Sequence, residues 1–156
     1  MNANHRMVLI AGVVCGLTAV GPRPAAAQLP ADPCAVLTPA QVSGILGGTV
    51  AKGDPIGSTG CAWATAVQEN IPYLRATLSF LDGSAFAGMK TPAPGVKQTA
   101  ASGIGDDAFY ATVGSLTTLS VKKGTVVFVV RIYGVHDQAA QMKMEKALAL
   151  DVIAKL

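Results

Sequence analysis

The chain has 156 residues, 51% of them hydrophobic, with 12 Lys and Arg against 9 Asp and Glu and a formal charge of +3. Two of the basic residues, Arg6 and Arg23, fall in an N-terminal leader, so residues 28–156 carry 10 basic and 9 acidic side chains and are nearly neutral. That length holds one domain with one ordinary core and no second, and scattered lysines in a neutral chain exclude the electrostatic footprint of a nucleic-acid or anionic-membrane binder.

In the leader, His5 and Arg6 precede an apolar run from Met7 to Val20, followed by Pro22, Pro24 and Ala25-Ala26-Ala27. Charged, apolar and small residues in that order read as a secretory signal peptide cut after Ala27, leaving 28–156 as a single domain. The run is shorter than the roughly 20 residues of a membrane span, and no later stretch is apolar enough to make one. A lipid anchor would use Cys15, but Gly12-Val13-Val14 before it lacks the Leu and small residues of a lipoprotein cleavage box. The expected location is periplasmic or extracellular. Cys34 and Cys61 survive cleavage, and an even count in an exported chain reads as a disulfide, with two free thiols or half a metal site as the competing reading.

Along the chain, Asp32-Pro33 suits the start of a short turn carrying Cys34. Thr38-Pro39-Ala40-Gln41 marks a helix by N-cap, first-position proline and capping box, with Val42, Ile45 and Leu46 on its apolar side and Gly47-Gly48 at its stop. Lys52 to Gly60 is turn-rich and leads into a strand over Cys61 to Ala66. Tyr73 to Leu81 alternates cleanly, with Leu74, Ala76, Leu78 and Phe80 on one face and Tyr73, Arg75, Thr77 and Ser79 on the other. A turn at Asp82-Gly83-Ser84 precedes a short helix through Phe86 and Met89, and Pro92, Pro94 and Gly95 enforce a loop. Val96 to Ala100 is a short strand, and Ala108 to Val113, Leu116 to Lys122 and Thr125 to Tyr133 form a meander punctuated by Gly114-Ser115 and Lys123-Gly124.

Thr125 to Tyr133 is apolar on both faces, so it needs strand neighbours on both flanks and cover on part of both faces. From Asp137, a suitable N-cap, a closing helix runs to Leu156 with Met142, Ala149, Val152, Ile153 and Leu156 on one side and Glu145 at its edge. The resulting expectation is an α+β fold, an antiparallel sheet of about five or six strands with an N-terminal and a C-terminal helix packed on it.

Few motifs carry chemistry. Gly103-Ile104-Gly105-Asp106-Asp107-Ala108 loosely fits a dinucleotide fingerprint, but a strand rather than a helix follows, so it reads as a glycine turn whose aspartates satisfy backbone donors. No cofactor is expected. His136 is the only histidine outside the leader, which removes multi-histidine metal sites, and there is no nucleophile elbow, so no catalytic residue is assigned. Trp63 beside Cys61 reads as core. The set Tyr73, Arg75, Arg131 and Tyr133, with Thr77 between, combines aromatic surface with guanidinium groups if its two strands lie close. Those four are the expected ligand-binding residues, the other reading being a solvated face with cation–π pairs.

Asp32-Pro33-Cys34-Ala35-Val36-Leu37-Thr38, Cys61-Ala62-Trp63 and Gly103-Ile104-Gly105-Asp106-Asp107-Ala108-Phe109-Tyr110 resemble small exported bacterial domains of unknown function, of the kind found in DPC-type lipoproteins of actinobacteria. The resemblance implies an α+β domain, a Cys34–Cys61 bridge and a periplasmic or cell-surface place, and it brings no catalytic residues. The missing lipoprotein box departs from its anchored members. Together these readings point to a non-enzymatic binding or envelope-interaction module whose partner is an envelope protein, a glycan or a small anionic ligand. The alternative is a small hydrolase or metal-dependent enzyme using Asp106 and Asp107.

Overall fold

The computed structural model describes residues 29–67, 69 and 72–156. The expected signal peptide, Met1 to Ala27, lies outside them. A 3₁₀ turn over Pro33–Ala35 is capped by the Asp32 carboxylate, which accepts the Cys34 N–H at 2.9 Å. Helix α1, Pro39–Leu46, starts with the capping box read from the sequence. The Thr38 N–H donates to Gln41 Oε1 at 3.0 Å and the Gln41 N–H to Thr38 Oγ1 at 3.3 Å, and Gly47 closes the helix at φ 72°.

Seven strands follow: β1 Asp54–Ile56, β2 Gly60–Ala64, β3 Arg75–Asp82, β4 Lys97–Ala100, β5 Asp107–Val113, β6 Leu116–Lys123 and β7 Val126–Tyr133. They form one antiparallel sheet in the order β1-β2-β3-β7-β6-β5-β4. The expected five or six strands are therefore corrected to seven. The addition is β1, which occupies the turn-rich stretch before Cys61; it is three residues long, fully exposed and contains Pro55. A proline is tolerated there because the strand is at the edge of the sheet, where a missing N–H breaks no ladder on the solvent side. β7 takes the central place, flanked by β3 and β6.

Alternation divides the sheet into an inner and an outer face. On the inner face Cys61 and Trp63, Ala76, Leu78 and Phe80, Ala108 and Tyr110, Leu119 and Val121, and Phe128, Val130 and Ile132 build the main core. Helix α3, Gln138–Ile153, covers it, capped by Asp137 accepting the Ala140 N–H at 2.6 Å. α1 buries Val42 and Leu46 in the same core, but lies chiefly alongside α3 and only marginally on β3. That corrects the expectation of two helices each packed on the sheet. On the outer face, helix α2, Ala85–Met89, drops Phe86 onto Phe109 and Val127 with Leu81 and Met89 around them, a second small core over one end of the sheet.

Cys34 and Cys61 form a disulfide with Cα atoms 5.1 Å apart, tying the 3₁₀ turn to β2. The bridge closes a 27-residue separation, for which chain entropy gives about 3 to 4 kcal/mol. Trp63 is buried against it, in the core as expected. Gly53 is required beside them, because a Cβ there would lie 2.6 Å from Trp63 Nε1 and overlap Cys61 Sγ.

Candidate functional site on the open sheet face

α2 covers the outer face only at the Val127 end. Toward the Tyr133 end the cross-strand register sets Ala111 opposite Thr118 on β5 and β6, and Thr77 opposite Arg131 and Arg75 opposite Tyr133 on β3 and β7, with the Arg131 side chain bridging from β7 to Thr118 on β6. Arg131 thus sits near the centre of the sheet with none of the described helices packed over it. Its Nε donates to Thr118 Oγ1 at 2.8 Å and its Nη1 to the Tyr133 hydroxyl at 3.0 Å, and the guanidinium carbon lies 5.7 Å from the Tyr133 ring centroid.

Two cavities meet at this side chain. One, of about 300 Å³, is lined by Ile56, Arg75, Thr77, Ser79, Val129, Arg131 and Tyr133. The other, of about 420 Å³, runs between the outer face of β5 and β6 and the segment from Met89 to Gln98, with Val129 and Arg131 on its floor. Both fall within or near the range of small-ligand sites. The only ion pairs among the described residues are Lys90–Asp107 and Lys123–Asp106, so neither Arg75 nor Arg131 has a carboxylate partner there within 4.0 Å. Arg131 is half-buried, and its guanidinium engages Thr118 through Nε and Tyr133 through Nη1, with no carboxylate among the described residues within 4.0 Å.

The structure therefore brings together three of the four residues singled out from sequence. Tyr73 stands apart: it precedes β3 rather than opening it, is 52% exposed, and lines a smaller neighbouring hollow with Asp54, Trp63 and Arg75. Leu74, next to it, continues the β2–β3 register onto Thr65: its carbonyl accepts the Thr65 N–H at 2.9 Å, while its N–H donates to the side-chain Thr65 Oγ1 at 3.0 Å rather than to a backbone carbonyl.

On the inner face, directly behind Arg131, lies a feature that sequence reasoning missed. The β6–β7 ladder ends at Leu119↔Val130, although β5–β6 pairing continues to Leu116 and β3–β7 pairing to Tyr133. The two strands part, and α3 fills the split with two fully buried polar side chains, Gln141 and Glu145. Gln141 Nε2 donates to the carbonyls of Ile132 at 2.8 Å and Thr117 at 3.2 Å and also approaches Glu145 Oε1 at 3.1 Å, so two hydrogens serve three acceptors. Glu145 accepts from Thr117 Oγ1 at 2.9 Å and from the Ile132 N–H at 3.3 Å. Strand groups that lost their ladder partners are satisfied this way.

Burial pushes the Glu145 carboxyl up from 4.5 to about 7, against the opposing pull of those hydrogen bonds and of the Arg131 charge. The neighbouring Tyr110 hydroxyl, donating to the Met142 carbonyl at 3.0 Å, is raised by burial and by Glu145. Gln141 Oε1 has no partner among the described residues. The sequence signal was the spacing: Gln141 and Glu145 stand four apart in line with Leu148, Ala149 and Val152, at the centre of the buried stripe rather than its edge. Leu156, by contrast, is 47% exposed and drops out of that stripe.

The aspartates of the glycine turn serve structure. Asp106 accepts the Gly124 N–H at 2.6 Å and Lys123 Nζ at 3.0 Å, which pins the turn to the β6–β7 hairpin; the Gly124 bond, more than the lysine, holds its carboxyl below the usual range. Asp107 pairs with Lys90 at 2.6 Å. Gly105, at φ 59°, brings the turn onto β6, where a Cβ would sit 2.5 Å from the Lys122 carbonyl. His136 is exposed beside the α3 cap. Among the described residues no group of three His, Cys, Asp or Glu is placed to hold a metal, and no helix is long and apolar enough to cross a membrane. No protein-family model, curated protein or solved structure matches this chain.

Proposed function

We propose that the domain is a non-enzymatic binding module of the cell envelope, exported by its leader to the periplasm or beyond, whose open sheet face holds an anionic group of its partner between Arg75, Arg131 and Tyr133. The observation that carries this reading is Arg131 itself, half-buried at the junction of two cavities with no carboxylate partner among the described residues. Withdrawing a guanidinium from water without a counterion is costly, and an incoming carboxylate or phosphate regains that loss through paired charge-assisted hydrogen bonds. Tyr133 and Thr118 fix the fork in place before binding, so little rotamer freedom is lost on association. Asp106 and Asp107, already committed to lysines, have no comparable freedom to act on a substrate.

The test is affinity capture from the native envelope with the parent protein and with the double variant Arg75→Ser, Arg131→Ser. Loss of capture with a thermal transition close to the parent's supports the reading. Equal capture by both proteins refutes it.

A further inference from the structure

We propose that the ligand of this face is a chain-bearing carboxylate, a single anionic head on Arg131 with an apolar tail lying in the groove beside it. The proposal rests on the reading of the face given above and adds the chemistry of the occupant. The groove is mainly apolar: Met89, Val96, Phe109, Ala111, Val113 and Leu116 supply most of its wall. Two of its polar side chains are turned to partners inside the fold, Gln98 donating to the Met89 carbonyl at 2.8 Å and Thr118 accepting from Arg131 at 2.8 Å. They offer a ligand little, and among the described residues the guanidinium is the one cation in the lining. An apolar trough with a single charge on its floor complements an amphipathic monoanion better than a sugar or a polyanion.

Dimensions narrow the choice. From Ala111, level with Arg131, to Val113 at the rim is two residues along the outer face of β5, roughly 7 Å at about 3.4 Å per residue, and in the other direction Phe109 is packed beneath Phe86. A tail that leaves the Arg131 head along this strand therefore runs toward the β5–β6 hairpin and continues over its rim. Val113 and Leu116, 56% and 49% exposed at the β5–β6 hairpin, are large apolar side chains left in water at its far rim, where a longer tail would cover them.

Titration calorimetry of the full chain with decanoate, decanol and butyrate tests the assignment. Decanoate is expected to bind at least about tenfold more tightly than either, the alcohol lacking the head and butyrate lacking the tail. Arg131→Gln should bring decanoate down to the level of decanol, and Ala111→Phe, which fills the trough, should weaken decanoate by about tenfold while affecting butyrate less. Decanol matching decanoate in the parent, or an Ala111→Phe variant that binds decanoate as well as the parent, overturns the proposal. If decanoate fails to bind while Arg75→Ser, Arg131→Ser still abolishes envelope capture, the acyl class is wrong and the face stands. Capture that survives the double substitution overturns the face itself, whatever decanoate does. A protein captured through the groove and lost in Ala111→Phe, with no decanoate binding, makes the trough a docking surface and likewise overturns the acyl assignment.

Discussion

Replacing Glu145 by Gln should stabilise the domain at alkaline pH and abolish most of its pH dependence between about 4.5 and 7. The carboxyl is fully buried in the β6–β7 split and its affinity for a proton rises from 4.5 to about 7 on folding. At pH 4 it is protonated in both folded and unfolded chains and costs nothing. As pH rises past 4.5 the unfolded chain releases its proton while the native one keeps it, so stability falls, and the loss is complete once pH passes the folded value near 7. A shift of this size corresponds to about 3 kcal/mol. Asp82 and Asp106, held low by their hydrogen bonds, act in the opposite sense but below their ordinary value of 3.8, outside this window.

The amide introduced by Glu145→Gln is neutral throughout. Its carbonyl, in the place of Oε1, can keep the Ile132 N–H and the Gln141 Nε2 contact, and its NH₂, in the place of Oε2, can donate to Thr117 Oγ1 once that hydroxyl turns. The variant should therefore match the parent near pH 4.5 and exceed it by about 2 to 3 kcal/mol at pH 8. Urea unfolding at pH 4.5, 6 and 8, followed by the fluorescence of the single buried Trp63, measures both slopes. A parent protein equally stable at pH 4.5 and 8, or a Glu145→Gln variant with the parent's slope, would show that Glu145 does not carry a buried charge penalty.

Other outcomes follow from the same packing. Phe128→Ala should cost about 3 to 5 kcal/mol, because Phe128 is fully buried at the centre of β7 with its ring centroid 6.1 Å from that of Phe80 across the β3–β7 pair; an unchanged urea midpoint would remove β7 from the centre of the core. Peptide mass spectrometry of non-reduced protein should find Cys34 joined to Cys61, and the Cys34→Ser, Cys61→Ser variant should lose about 3 kcal/mol; two freely alkylatable thiols in protein recovered from the envelope would contradict the bridge. Gly53→Ala should lower the melting temperature by several degrees, since the added methyl meets both Trp63 and the disulfide, and a neutral result would mean that the Lys52–Asp54 backbone shifts freely.

What the residues reveal in advance, and what they hide, follows from how local each determinant is. The capping box at Thr38, the cap at Asp137 and the alternation of β3 are written in neighbouring residues, and each appears where its pattern puts it. The apolar double face of β7 requires neighbours and cover, and both are present: β3 and β6 on its flanks, α3 on one face, Phe86 on part of the other. β1 is hidden because Pro55 and the glycines around it carry turn chemistry, while its pairing with β2 comes from the hairpin that Gly57 closes. Tyr73 continues the alternation of β3 without joining the strand, and nothing in its own residue type marks that boundary.

The split behind Arg131 is the clearest case of non-local information. A glutamate in an amphipathic helix ordinarily marks the solvent edge. Here it lies inside because β6 and β7 part beyond Val130 and leave backbone groups that only an inserted polar side chain can satisfy. Likewise, the arginine–tyrosine face is legible as a residue set, whereas the trough beside it depends on where a five-residue helix lands.

If the outer sheet face, and not the helical layer, meets the partner, the two surfaces must differ in what they touch in the envelope. A photo-cross-linking side chain at Thr77, in the Arg131 row, and separately at Lys143, exposed on α3, distinguishes them when the full chain is irradiated in its native envelope. Adducts formed from position 77 and absent from position 143 are the predicted result. Adducts from 143 alone would place the partner on α3 and contradict the assignment of the sheet face.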